Sequence, residues 1–383
     1  MSVGLICEFN PFHYGHKYII DKAHEFTNEP VVCIMSGPFV QRAEPACASK
    51  YSRAKAALLY GADAVIELPV KFATAAAKNF ARGGVEILKN ISGVTSLAFG
   101  VETDNPEILF RIAEIKRLPQ TDQLIKEQLA LGLSYPTAVA NAIAKISDNN
   151  LSFINTLNGP NNILALEYID ALQGTNISPL PIKRVGSDYN DKNINGTFAS
   201  ATALRESISQ GKDDLDIYLP QVMLKECLSV APDMNIFSTL TLYALRRMSL
   251  DQIRQLPDVE PGLEYSIQKA IQLSSIAAAI EQIKSKRYTY ARLKRIFLHA
   301  LLGIDKHIMS DITNAKTRIL GIKKEFKPFL SNLNSNIIAR NSDATDEFTS
   351  DKSVIVDAFA QDVYALLTGS EANAYYKEPL IIV

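Results

Sequence analysis

Two histidines three positions apart, His13 and His16, stand near the start of the chain with Tyr14 and Gly15 between them. The apolar run ahead of them, residues 3–7, predicts a buried strand. Asn10-Pro11 breaks that run, and Gly15 lets the backbone turn tightly before a helix opens near His16. Strand, turn and helix N-terminus together make a phosphate site, because the first helical N–H groups and the helix dipole both favour negative charge there. A pair of loop histidines, or half of a metal site, is the other use of such spacing. The strand before, the glycine between and the helix after favour phosphate.

Two further stretches carry polar chemistry. Ala199-Ser200-Ala201-Thr202-Ala203-Leu204-Arg205 opens a helix with hydroxyls free for capping. Residues 284–327 hold twelve Lys and Arg against three acids. Leu293, Ile296, Phe297, Ala300 and Leu301 make an apolar stripe at helical spacing there, with Arg292, Arg295 and His299 on another face. Beside Tyr288 and Tyr290, such a basic face can neutralise RNA phosphates and stack on unpaired bases. A solvated charge face over a core stripe is the plainer use of the pattern, but the excess is large for a chain of net charge −1.

The elements that position these residues alternate. Apolar runs at 31–35, 63–68, 96–100 and 181–185 predict strands, with helical spacing at 49–60, 72–89 and 158–173 between them. This α/β pattern predicts a Rossmann-like parallel sheet with helices on both faces, its ligands at the carboxyl ends of the strands. That rule gathers the His13/His16 turn, Ser36-Gly37 and Gly100 at one edge. Helical periodicity dominates 236–330, so the reading is a catalytic part over residues 1–210 and a mainly helical part over 211–383, closed by a strand-like 380–383.

With 383 residues and 47% hydrophobic content, the chain can bury cores for two domains or more. A net charge of −1 gives no global basic signal, so any nucleic-acid surface is local. The four cysteines, Cys7, Cys33, Cys47 and Cys227, have no paired spacing and read as free thiols in a reducing cytosol. No apolar segment reaches about 18 residues and no leader pattern opens the chain, so a cytoplasmic location away from membranes is expected.

The His-x-Gly-His arrangement after a first strand resembles the signature of the nucleotidylyltransferase superfamily, which includes class I aminoacyl-tRNA synthetases. Residues 200–205 resemble its second signature, with Ala201 where a second Ser is usual. Glu8-Phe9-Asn10-Pro11-Phe12-His13-Tyr14-Gly15-His16, Met35-Ser36-Gly37-Pro38-Phe39-Val40-Gln41-Arg42, Gly61-Ala62-Asp63-Ala64-Val65-Ile66-Glu67-Leu68-Pro69, Phe99-Gly100, Pro160-Asn161-Asn162-Ile163-Leu164 and Lys286-Arg287-Tyr288 narrow the likeness further. Together they resemble the bacterial tRNA(Met) cytidine acetate ligase family, over essentially the whole chain. Ala43 stands where Gly is typical, and Ser187-Asp188-Tyr189-Asn190-Asp191 replaces a His-containing loop.

What the resemblance implies is synthesis of N4-acetylcytidine at the wobble position of elongator tRNA(Met) from acetate and ATP. His13 and His16 would clamp the ATP phosphates electrostatically rather than move protons. Residues 7–20 would cradle the nucleotide: Cys7, Glu8, Phe9, Asn10, Pro11 and Phe12 before the first histidine, and Tyr14, Gly15, Lys17, Tyr18, Ile19 and Ile20 after it. Gly100 would admit adenine or ribose, and Asn161, Asn162, Arg184, Ser200, Thr202 and Arg205 would complete the ATP site. Lys286, Arg287, Arg292 and Arg295 would meet tRNA. Gln41, Arg42, Lys50, Arg53 and Lys55 lie where acetate, pyrophosphate or tRNA could be reached. Mg²⁺ is expected with ATP, though no acidic cluster marks a protein-held metal. No obligate protein partner is implied. A small-molecule adenylyltransferase and an ATP-regulated RNA-binding protein are the alternatives.

Overall fold

The apolar run after Met1 is a strand buried on both faces: β1 (Ser2–Cys7) lies inside an eight-stranded sheet. The computed structural model describes residues 1–185, 198–212, 214–313 and 315–383. In chain order the other strands are β2 (Val31–Ser36), β3 (Phe39–Val40), β4 (Glu44–Pro45), β5 (Ala64–Leu68), β6 (Val94–Val101), β7 (Ser178–Lys183), β8 (Thr317–Ile322), β9 (Ile337–Ile338) and β10 (Ile381–Ile382). The sheet order is β10-β8-β5-β2-β1-β6-β7, with β9 on β8, while β3 and β4 form a separate antiparallel pair.

β5, β2, β1, β6 and β7 run parallel. The chain steps outward from β1 to β2 and β5, then crosses back to β6 and β7, so the order reverses between β1 and β6. A crevice opens at such a reversal, outside the strand carboxyl ends. His13 and His16 follow β1, and Gly100 lies on β6 beside it.

Alternate residues of each strand face opposite layers. Ile6, Ile34, Ile66, Leu97 and Phe99 pack under the helices Ala77–Lys89, Glu107–Lys116 and Pro160–Ala171. Leu5, Cys33, Met35, Val65 and Ala98 pack under Tyr14–Thr27, Lys50–Leu59, Ala201–Ser209 and Gln221–Ser229. A third core joins helices between residues 242 and 300. A fourth packs this helical body against the β3–β4 pair and the segment after β5 through Phe39, Val70, Phe237, Leu298 and Ala360. Lys294 also pairs with Glu44 of β4.

The sheet does not end at residue 210. Residues 317–322, read as helical from sequence, form β8, wholly buried and antiparallel to β5. Ile319 and Ile322 face one layer and Leu320 the other, and the β-branched residues of the run suit a pleated surface better than a helix. Residues 72–89 divide into a short helix, Val70–Ala73, and the helix Ala77–Lys89.

Arg53 is fully buried and ties the carboxyl ends of β1 and β2 together. Its Nη1 donates to Glu8 O at 2.6 Å and Ser36 O at 3.0 Å, its Nε to Ala48 O at 3.1 Å, and its Nη2 to Gly37 O. Arg53→Met leaves these carbonyls without donors in a dry interior. The expected loss is about 3 kcal/mol or more, read from urea unfolding. A variant within about 1 kcal/mol of the parent contradicts this anchoring.

Candidate active site

The helix Tyr14–Thr27 opens with His13 as its N-cap, in an extended conformation. The His13 Nδ1 accepts the Gly15 N–H at 3.1 Å, and the His16 Nδ1 accepts the His13 N–H at 3.3 Å. Two imidazoles thus make a reciprocal capping box, normally the work of Ser/Thr and Glu. The rings stack with centroids 3.7 Å apart. Gly15 is required by contact: a Cβ there would lie 2.9 Å from the His13 ring carbon Cε1. The glycine lets the first imidazole fold over the helix start.

Because both Nδ1 atoms accept, each neutral ring carries its proton on Nε2. Burial, with the Arg184 and Arg205 guanidiniums close by, pushes the His13 pKa down to about 3. Burial, His13 and Arg184 hold His16 well below the ordinary value. The pair is therefore neutral near pH 7, with two cations beside it. Such a site offers hydrogen-bond donors to an anion without the cost of burying two imidazolium charges.

A cavity of about 240 Å³ opens at this helix mouth. Cys7, Glu8, Phe9, Asn10, His13, His16 and Ile19 line it from the first strand, turn and helix. Gly100 lines it from β6, Asn161 from the helix Pro160–Ala171, and Arg184 from the end of β7; Ser200, Thr202 and Arg205 close it from the helix Ala201–Ser209. Most of the residues singled out from sequence therefore converge.

The remaining ones support the site from outside the cavity. Pro11 and Phe12 are buried behind the turn, Ile20 is in the core, and the Lys17 ammonium pairs with Asp21 at 2.5 Å. Tyr14 packs on Tyr60 and Tyr18 on Phe198. Asn162 is structural: its Oδ1 accepts the Glu102 N–H at 2.8 Å, and its Nδ2 donates to Thr156 O at 3.0 Å.

The turn itself is cross-braced. Asn10 Oδ1 accepts the Cys47 N–H at 2.8 Å, and Asn10 O accepts Arg205 Nη1 at 2.7 Å. Phe9 has a φ of 49°, a left-handed conformation costly for a bulky side chain, and is held between Phe12 and His16. Glu8 accepts the Gln41 N–H at 2.7 Å, and burial raises its pKa. A Cβ on Gly100 would sit 3.0 Å from the Arg184 stem, so this glycine makes room for the arginine over β6.

Sequence reasoning missed the apolar wall of the cavity, formed by Phe80, Phe99 and Tyr168. These residues carry ordinary core spacing, and only the folded sheet turns them toward the site. Lys50 and Arg53 lie out of ligand reach: Lys50 is buried against Glu67 at 2.7 Å, and Arg53 holds backbone carbonyls. Lys55 is exposed on the helix Lys50–Leu59 and lines none of the clefts described here. Cys47 and Cys227 are free thiols with sulfurs 3.6 Å apart, a proximity that sequence spacing did not reveal.

A larger cleft of about 810 Å³ adjoins the first, and Gln41, Arg42, Ala77 and Ile163 line both. Arg287, Arg292 and Arg295 line it as well, but acids partly neutralise them. Arg287 and Arg292 pair with Glu260, and the Arg295 Nε is 3.2 Å from Asp258. The Arg292 guanidinium lies over the Tyr288 ring, and Lys294 over Tyr290. Lys286 is exposed outside the cleft. His299 belongs to the interior, not the basic face: it is buried, and its Nε2 is 3.2 Å from Thr74 Oγ1.

A model of the HIGH Nucleotidyl Transferase family matches residues 1–378. The chain belongs to that family. Within reach of this HIGH nucleotidyl transferase are several relatives named tRNA(Met) cytidine acetate ligase. That of Thermoanaerobacter sp. (strain X514) is 35% identical over 400 residues, covering 99% of each chain. That of Oceanobacillus iheyensis is 38% identical over 349 residues, covering 86% of each. Among solved structures, apo Thermotoga maritima TmcAL superposes with a TM-score of 0.90 at 28% identity over the full length of both chains. The same protein bound to alpha-thio ATP gives 0.88 at 27% identity, covering 100% of this chain and 99% of that one.

Among the described residues no three His, Cys, Asp or Glu side chains converge as a metal site, and no helix is long and apolar enough to cross a membrane. Glu8 is the one carboxylate among the described residues that line the cavity at His13 and His16.

The neutral histidines give a pH test. His13 and His299 have folded-state pKa values of about 3 and about 4, below the ordinary 6.5. The unfolded chain therefore takes up protons first as pH falls below about 6.5, so these groups subtract stability on acidification. The limit is about 1.4 kcal/mol per pH unit for each. With five histidines in the chain, ¹³C-histidine NMR can follow them, assigned through His13→Asn and His299→Gln. Both resonances should stay in the neutral form at pH 5, and midpoints near 6.5 contradict the buried, neutral assignment.

Proposed function

We propose that this chain is a tRNA(Met) cytidine acetate ligase, which joins acetate to the N4 amine of the wobble cytidine of elongator tRNA(Met) at the expense of ATP. The observation that carries the reading is the shared wall of the two clefts. A cavity with a histidine pair, suited to a nucleotide, opens through Gln41 and Arg42 into a larger cleft suited to a macromolecule. A small-molecule adenylyltransferase has no need of the second space.

An acetate oxygen attacks the α-phosphorus of ATP, the P–O bond to the β-phosphate breaks, and pyrophosphate leaves. His13 and His16 donate from Nε2 to the phosphoryl oxygens, where negative charge grows in the transition state. Arg184 and Arg205, close to the histidines, add positive charge, and Ser200 and Thr202 offer hydroxyls to the leaving pyrophosphate. Cys7, Glu8, Phe9 and Asn10 shape the wall against the nucleotide, with Gly100 and Asn161 on the side of β6. Mg²⁺ bound to the triphosphate would neutralise part of its charge, and Glu8, the carboxylate of the cavity lining, is the side chain that would meet it.

The second step is acyl transfer. The cytidine amine attacks the acetyl carbon of the mixed anhydride, the acyl C–O bond breaks, AMP leaves, and the amine proton passes to solvent or to the leaving phosphate. The anhydride is already activated, so alignment and exclusion of water supply much of the rate. Residues 1–210 carry the nucleotide chemistry in this reading. Residues 211–383 carry the RNA side, with Arg287, Arg292 and Arg295 in the larger cleft and Lys286 beside it.

Two experiments test the reading. Purified protein with radiolabelled acetate and unmodified tRNA should incorporate label only with ATP present, and into elongator tRNA(Met) rather than bulk tRNA. Absence of label returns the choice to the small-molecule transferase or the binding protein. His13→Asn keeps a good N-cap while removing the Nε2 donor, so it should hold stability within about 1 kcal/mol yet lower acetylation about 10²-fold or more. Retained activity contradicts the clamp.

A further inference from the structure

Charge is distributed unevenly in the larger cleft. The arginines on its helical side already face Asp258 and Glu260. Elsewhere Lys116 pairs with Glu167 at 2.7 Å and Asp170 at 2.9 Å, Arg117 with Asp170 at 3.0 Å, and Lys89 with Glu86 at 2.7 Å. Two cations stand apart from this pairing. Lys78 and Arg82, both exposed on the helix Ala77–Lys89, have no ion pair or side-chain hydrogen bond among the described residues.

Their placement is specific. The helix begins at Ala77, which lines both the nucleotide cavity and the larger cleft, and Phe80 faces the nucleotide cavity. Lys78 lines the larger cleft and a neighbouring surface groove, and Arg82 lines that groove. Four residues apart, the two side chains share one helix face about 6 Å apart along the axis. Unneutralised charge therefore leads outward from the reaction centre along one helix.

We propose that Lys78 and Arg82 form a phosphate clamp for the tRNA backbone, holding the strand next to the reacting cytidine along the helix Ala77–Lys89. The proposal rests on the tRNA-ligase reading above and adds contacts outside the basic segment 284–327. An exposed cation with no acidic partner releases its full share of counterions when it meets a phosphate, whereas an arginine already held by a carboxylate must first give up that partner. Lys78 and Arg82 should thus contribute more to salt-dependent tRNA affinity than Arg287 or Arg292.

The test is filter binding of an elongator tRNA(Met) transcript between 0.05 and about 0.2 M salt. It compares the parent with Lys78→Gln/Arg82→Gln, Arg287→Gln/Arg292→Gln and the swap Lys78→Arg/Arg82→Lys. Two lost phosphate contacts should flatten the slope of log K against log salt by about 1.4 to 1.8 and weaken binding roughly 10-fold or more. ATP binding and the unfolding temperature should not move, because both residues are exposed, and the charge-conserving swap should restore the slope. Parent-like affinity and slope in the Lys78/Arg82 variant, with a loss in the arginine variant, overturn the clamp and leave the ligase reading standing. A parent that binds no tRNA overturns the ligase reading, and the clamp with it.

Discussion

The Arg53 guanidinium, buried and bonded to carbonyls of Glu8, Ser36, Gly37 and Ala48, fixes where the first two strands release the chain. Glu8 begins the turn that carries both histidines, and Ser36-Gly37 leads to Gln41 and Arg42 on the wall between the clefts. A charge so buried is stable only while its donors are satisfied, and here backbone carbonyls satisfy them. The same group therefore sets the distance between the nucleotide turn and the passage to the larger cleft. Gln41 N–H to Glu8 and Cys47 N–H to Asn10 repeat the connection farther along the turn.

The histidine pair shows how local structure and chemistry become one requirement. A helix N-terminus needs acceptors for its first N–H groups, and His13 and His16 supply them through Nδ1. That use fixes the tautomer and leaves Nε2–H for a ligand. Gly15 is what the arrangement demands sterically, and burial beside Arg184 and Arg205 is what keeps the rings neutral. In the proposed reaction a phosphate at this site would meet neutral donors, the helix dipole and two guanidiniums together.

Much of this was legible in the sequence because its signals are local. The apolar run of β1, the His-x-Gly-His spacing and the Ser200 cap each lie within a few residues, and the alternation of strands and helices implied the parallel sheet. What escaped depends on contacts between distant segments. β8 was hidden because Arg318 interrupts its apolar run and its partner, β5, lies some 250 positions earlier in the chain. Lys50 and Arg53 carry the same charge as ligand-binding residues until the fold buries them. Arg292 reads as an unpaired cation until Glu260 is brought beside it. His299 lies on an otherwise polar helix face that the fold covers with Thr74.

In the proposed reaction acetate attacks the α-phosphorus at the His13/His16 site, and AMP is the leaving group of the acyl transfer. Acetate labelled with ¹⁸O in both oxygens, incubated with the protein, ATP and elongator tRNA(Met), tests it by mass spectrometry of the products. Attack at the α-phosphorus puts one ¹⁸O in the phosphate of AMP for each acetyl group transferred and leaves pyrophosphate unlabelled. Formation of ADP with ¹⁸O in orthophosphate would contradict it, because the attack would then have taken place at the γ-phosphorus.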